Sequence, residues 1–248
     1  PVAVVASAFL KPLTDPYFRG FDSQLPDFFR FREWLREFKQ FEAKGAMPSL
    51  SFVRFMNDHM GAFDTAIRGV NTPETQQADN DYAVGLLVEA IANSKFANDT
   101  LVFVLEDDAQ DGPDHVDAHR SIAFIAGPYV RQGAVVSTRY TTVDMIRTIE
   151  AMLGLKPNNL FDGGARPMAD VFDLAQGPRW SFTATPADVL YSTQLPLPPR
   201  QSAGPIAQPR RDAAWWAVAT KGFDWTSEDK NDADAFNAVL AKGLSEGK

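Results

Sequence analysis

The sequence predicts an α/β fold with a mostly parallel or mixed central sheet flanked by helices. Residues 100–105, Thr-Leu-Val-Phe-Val-Leu, form a continuous apolar run of the kind that a central parallel strand shows when both faces are covered. A second run, Ser-Ile-Ala-Phe-Ile-Ala, occupies residues 121–126. Segments of helical period surround both, so strand and helix alternate through the middle of the chain. With 248 residues, 45% of them hydrophobic and 12% aromatic, the chain has enough apolar material to bury a core.

Residues 2–8 are apolar and are read as a strand or the residue of one, and the stretch to Pro26 as a turn-rich loop. From 27 to 44, Phe28, Phe31, Leu35, Phe38 and Phe41 recur every three to four residues between charged side chains, which predicts an amphipathic helix ended by Gly45. This aromatic stripe is read as core packing. Residues 50–56, after Pro48, predict a short buried strand that runs directly into Asn57, Asp58 and His59. Residues 74–94 predict a helix with Ala78, Tyr82, Leu87 and Ile91 inward; Asp79 and Asp81 near its start are read as complementing the helix dipole. Beyond the two apolar runs, a short strand is expected at 135–136, a helix at 141–153 ended by Gly154, and a last helix at 233–244. Residues 195–209 are Pro-rich and read as a surface excursion. Two units are expected: 1–185 carries the chemistry, and 186–248 packs on it.

Composition excludes several function classes. With 24 basic and 32 acidic residues the net charge is −8, and phosphate neutralisation by clustered Lys and Arg, which nonspecific nucleic-acid binding needs, is missing. Without cysteine, any metal must be held by oxygen and nitrogen. No apolar run reaches the roughly 18–20 residues of a membrane-spanning helix. Pro1 in place of Met, followed by an apolar stretch, is read as a chain processed upstream. Five tryptophans include Trp215, Trp216 and Trp225, too scattered for a carbohydrate platform and read as packing.

The three histidines lie where carboxylates are densest. His59 follows Asp58; His115 and His119 lie in a run that begins Glu106, Asp107, Asp108 and continues through Asp111, Asp114 and Asp117. Imidazole and carboxylate together are the ligands of a hydrolytic zinc, manganese or iron site, and so many acids in a short stretch are costly without a cation. If Asp58, His59, Asp107, Asp108, His115 and His119 converge at strand ends, two divalent cations about 4 Å apart would clamp a phosphoryl group. The bland alternative is a solvated turn, since Asp111-Gly112-Pro113-Asp114 is turn chemistry by itself.

The run Leu-Glu-Asp-Asp-Ala-Gln-Asp-Gly-Pro-Asp-His-Val-Asp-Ala-His-Arg at 105–120 resembles the bacterial phosphoesterase family of the alkaline phosphatase superfamily, as do Gly-Pro-Tyr-Val at 127–130, Ser-Thr-Arg-Tyr-Thr at 137–141 and Met-Ile-Arg-Thr-Ile-Glu at 145–150. That family includes phospholipase C-like and acid phosphatase-like enzymes, some fused to a β-propeller. Further matches are Arg-Gly-Phe-Asp at 19–22, Pro-Ser-Leu-Ser-Phe-Val-Arg at 48–54 with Asn57, Asp58 and His59, and Asp79-Asn80-Asp81. The resemblance implies an alkaline phosphatase-like fold and divalent metal ions (zinc, manganese, iron or calcium). It implies that Asp107 and Asp108 form the metal-binding acid pair, with Asp108 where many relatives have His. Asp58 and His59 would be the ligand or phosphate-contacting pair, and His115 or His119 the last imidazole ligand. His59 and His115 are the expected catalytic residues; Glu106 and Asp117 would orient the imidazoles.

One departure stands out. The family's acidic residue after the first strand and its Ser or Thr nucleophile at a helix N-terminus have no counterpart here, since Ser7, Thr14, Ser23 and Ser49 lack that setting. The chain therefore reads as the C-terminal portion of a catalytic domain, incomplete at its N-terminus, whose partner is the missing N-terminal half. The expected activity is metal-dependent hydrolysis of a phosphomonoester or phospholipid head group in the periplasm or outside the cell. The alternatives are a noncatalytic fragment or subunit and a sulfatase-like or phosphoglycerol transferase-like member.

Overall fold

The computed structural model describes residue 3 and residues 5–107 and 120–245. Its largest element pair is helical. Helix α1, Asp27–Lys44, ends at Gly45 in the left-handed conformation (φ 74°), and α2, Pro73–Ala92, starts from a capping box between Thr72 and Thr75 with Pro73 in its first turn. Phe31, Trp34 and Phe38 of α1 pack against Ala83, Leu87 and Ile91 of α2, and the Trp34 and Phe38 rings stack at 4.7 Å. The helical period of the sequence places the side chains of each helix on one stripe, and burying each of the large ones contributes about 1.5–3 kcal/mol.

The expected central sheet is not found among the described residues. Among the described residues there are two paired strands, β1 (Val102–Leu105) and β2 (Ala123–Ala126), and they run antiparallel, with Val102 opposite Ala126 and Leu105 opposite Ala123. The protein is therefore mostly helical. The apolar run that suggested a central parallel strand has a different cause. Val102 packs on the α1/α2 cluster, whereas Phe103 and Leu105 pack, with Ile125, on a second cluster of Met145, Met168 and Val171. Both faces of β1 thus meet apolar side chains, and among the described residues the ladder has two strands, with Phe124 of β2 exposed.

Residues 50–56 likewise form no strand. Their burial alternates, Val53 and Phe55 inward and Phe52 outward at 93% exposure, yet no backbone group from 49 to 55 pairs with another strand. The expected strands at 2–8 and 135–136 are also not found among the described residues, and Val135 is exposed. Periodicity specifies which face is apolar but does not supply a pairing partner.

Helix α3, Thr142–Leu153, starts from a Thr141–Asp144 capping box and ends at Gly154 (φ 68°). A short α4, Leu160–Gly164, follows. Two C-terminal helices, α5 (Ala213–Ala219) and α6 (Ala233–Leu244), enclose an aromatic cluster of Phe63, Trp216, Trp225 and Phe236. The Pro-rich stretch starts in the core, with Leu195 buried and Leu197 packed beside it, and from there runs over the surface, tied down where Arg200 and the Ala207 N–H both bind the Asp188 carboxylate. No helix among the described residues is long and apolar enough to cross a membrane.

Candidate functional site

The turn that carries Asp58 and His59 is built on a buried polar network at the start of α1. Pro26, the residue before α1, has no side chain able to cap it. Asp79, two turns into α2, does so from across the helix pair: its carboxylate accepts the N–H of Asp27 at 2.5 Å and of Phe28 at 3.2 Å. The Asp27 carboxylate in turn accepts from Arg30 at 2.9 Å, from the N–H groups of Met56 and Asn57 (2.8 Å for the latter), and from the Asn80 side chain at 3.1 Å. Arg30 spends its remaining donors on the carbonyls of Arg19, Gly20, Asp22 and Leu25, which fixes the preceding loop.

Asp27, Arg30, Asn57 and Asp79 are all essentially inaccessible to solvent. Burial, reinforced by the charge of Asp27, pushes the Asp79 carboxyl up to about 7. Burial also lowers the Arg30 guanidinium from its ordinary value, against the opposing pull of Asp27.

A 3₁₀ turn, Asn57–His59, sits on this base. Asn57 donates its side-chain amide to Asp79 at 2.9 Å, and Asn80 donates to Asp58 at 3.3 Å. The next three residues all have positive φ: Met60 at 56°, Gly61 at 133° and Ala62 at 46°. For Met60 and Ala62 such conformations cost about 1–3 kcal/mol each and persist only where surroundings over-determine them. Here the buried Gln76 side chain accepts the Gly61 N–H at 2.9 Å and donates to the Gly61 carbonyl at 2.8 Å. Trp225 closes over the other side, so close that a Cβ on Gly61 would lie 2.5 Å from its ring.

Asp58 and His59 therefore sit on a locked turn. Burial, and then the charges of Asp27 and Glu106, push the Asp58 carboxyl up from its ordinary range, while backbone N–H groups of the turn partly oppose this. Arg54 is raised chiefly by its 2.8 Å ion pair with Glu228, and further by the charges of Asp107 and Asp58. The His59 ring meets Phe21 edge-on at 5.1 Å, and its Nε2 lies 3.6 Å from Asp229. The segment before α6 thus reaches both ends of the turn.

Of the six expected ligands, Asp58, His59 and Asp107 are described. Asp58 shares a field with Glu106 and, through Arg54, with Asp107. Asp108, His115 and His119 lie outside the described residues, as does Asp117. Among the described residues no group of three or more His, Asp or Glu side chains is placed to hold a metal ion. Two carboxylates and an imidazole have the donor chemistry of a zinc or manganese site, and burial is the first cause of the raised Asp58 carboxyl. A surface groove lined by Leu101, Pro128, Tyr129, Met152 and Phe172 contains none of these residues.

Sequence reading missed the supporting residues. Asp79 does not serve the dipole of its own helix; it caps α1. A signal was present, because Thr75, Asp79, Tyr82 and Ala83 share one helical stripe, and a carboxylate there must find buried donors. In comparisons with known proteins, no family model, no curated protein and no solved structure matches this chain.

Proposed function

We propose that this chain takes part in metal-dependent hydrolysis of a phosphoric ester, a phosphomonoester or a phospholipid head group, with a Ser or Thr nucleophile supplied from outside residues 1–248. The observation that carries the reading is that Asp58 lies within the electrostatic field of Glu106, and Arg54 within that of both Asp58 and Asp107, although β1 and α2 separate these segments in sequence. The family resemblance of 105–120 adds to it.

Asp58, His59 and Asp107, with Asp108, His115 and His119, would hold the divalent cations. A cation bound there polarises a phosphoryl oxygen. The chain's own part is to keep Asp58 and His59 in one arrangement through the locked turn, with the imidazole packed edge-on against Phe21 and 3.6 Å from Asp229. Preorganisation of this kind lowers the reorganisation that reaction would otherwise require.

The test is turnover of p-nitrophenyl phosphate, in the presence of zinc or manganese, by the polypeptide that joins this chain to the segment bearing the nucleophile. His59→Ala and Asp107→Asn are each expected to lower kcat/KM by about 100-fold or more; full activity in both would refute the reading. Running p-nitrophenyl sulfate alongside separates a sulfatase.

A noncatalytic subunit is the second reading, favoured by the lack of a converged ligand group among the described residues. Elemental analysis decides between them: a chain free of bound metal after exposure to zinc and manganese supports the noncatalytic role.

A further inference from the structure

We infer that Asn80 is a positioning residue for Asp58: from α2 its side-chain amide spans the buried Asp27 carboxylate and the Asp58 carboxylate, and so sets how Asp58 faces the site. Its consequence for metal binding rests on the reading of Asp58 as a ligand. The amide nitrogen lies 3.1 Å from Asp27 and 3.3 Å from Asp58, and a primary amide has two hydrogens, one for each acceptor.

The anchor end is rigid. Asp27 is fully buried and held by Arg30 and by the N–H groups of Met56 and Asn57. Asn80 is itself placed by its neighbour Asp79, which is fastened to the first turn of α1. The two carboxylates repel, so a group between them must donate to both. An amide does this without charge. A lysine would place a competing cation beside the expected ligand, and an aspartate would add a third acid and lose both donors. Groups that orient ligands in this way typically change metal affinity about 10- to 100-fold when removed.

The experiment uses the full 248-residue chain with manganese as probe. Calorimetric titration compares the unsubstituted chain with Asn80→Ala, with Asn80→Gln, which retains the two-hydrogen donor, and with Asp81→Asn as a control on the same helix. Thermal melts establish that each variant folds. Asn80→Ala is expected to bind manganese about 10- to 100-fold more weakly, Asn80→Gln to recover part of the loss, and Asp81→Asn to leave affinity within about twofold. Equal affinity in Asn80→Ala and the unsubstituted chain overturns the inference while the metal-ligand reading stands. If the unsubstituted chain binds no manganese, the metal-ligand reading fails instead. Crystal structures of the unsubstituted chain and Asn80→Ala then decide the positioning role alone: a reoriented Asp58 carboxylate upholds it, and an unchanged one overturns it.

Discussion

The Asp79 carboxylate accepts the backbone N–H of Asp27 at 2.5 Å, so one acid on α2 caps the start of α1 while a second acid, Asp27, holds the turn that carries Asp58 and His59. The buried guanidinium of Arg30 pairs with Asp27 and not with Asp79, whose carboxylate meets the N–H groups of Asp27 and Phe28 and the Asn57 amide. The network therefore stores excess negative charge, and Asp79 meets it by holding a proton up to about pH 7.

That proton has a measurable consequence. Asp79 titrates near 7 in the folded protein against 3.8 when unperturbed, so the folded state binds the proton more tightly. A raised carboxyl makes stability fall as pH rises from about 4 to 7, by an amount on the order of a few kcal/mol, and leaves it flat above. Asp162 and Asp224, both lowered to about 2 by hydrogen bonds, act oppositely: their contribution is present above 3.8 and lost as pH falls through 2. Urea midpoints measured from pH 2 to 8 should peak near pH 4 to 5. In Asp79→Asn the decline between 4 and 7 should largely vanish; an unchanged decline would show that another group is responsible.

Gly61→Ala tests the locked turn. The added methyl meets Trp225 at 2.5 Å and forces a side chain into φ 133°, so a loss of about 1–3 kcal/mol is expected in denaturant unfolding. Combining it with Trp225→Ala should relieve the clash but not the φ strain, giving a double variant less destabilised than the sum of the singles. Strict additivity would mean that Trp225 does not close the turn.

Two phenylalanines near the two ends of the burial scale provide a check on the packing. Phe38, 1% exposed and stacked on Trp34, should cost about 3–5 kcal/mol as Phe38→Ala. Phe52, 93% exposed, should cost less than about 0.5 kcal/mol as Phe52→Ala. Comparable losses at both sites would contradict the placement of residues 50–56.

Arg54→Gln separates charge from packing. Its pair with Glu228 is solvent-accessible on both sides, so the stability change should stay under about 1 kcal/mol. Removing its charge from beside Asp58 and Asp107 should nevertheless tighten manganese binding several-fold at low salt, and less at high salt. Weaker binding in the variant would place the cation elsewhere.

Local features were legible in the sequence. The limits of α1 and α6 coincide with the expected 27–44 and 233–244, and Gly45 and Gly154 end their helices, because helical period and capping chemistry are carried by neighbours three or four residues apart. The sequence also placed Glu106 and Asp107 immediately after β1, whereas Asp58 and His59, expected at the end of a strand, lie in a 3₁₀ turn that no strand directly precedes. Only the tertiary structure decided how the apolar runs pair. A strand's partner is nonlocal, and two apolar clusters cover β1 where a parallel sheet was expected. It also decided what Asp27, Asp79 and Asn80 do. Each is an ordinary helix residue by spacing, and each acquires its role from a donor or acceptor on another element. Whether a buried carboxylate is a cost or an anchor depends on partners that adjacency in sequence does not specify.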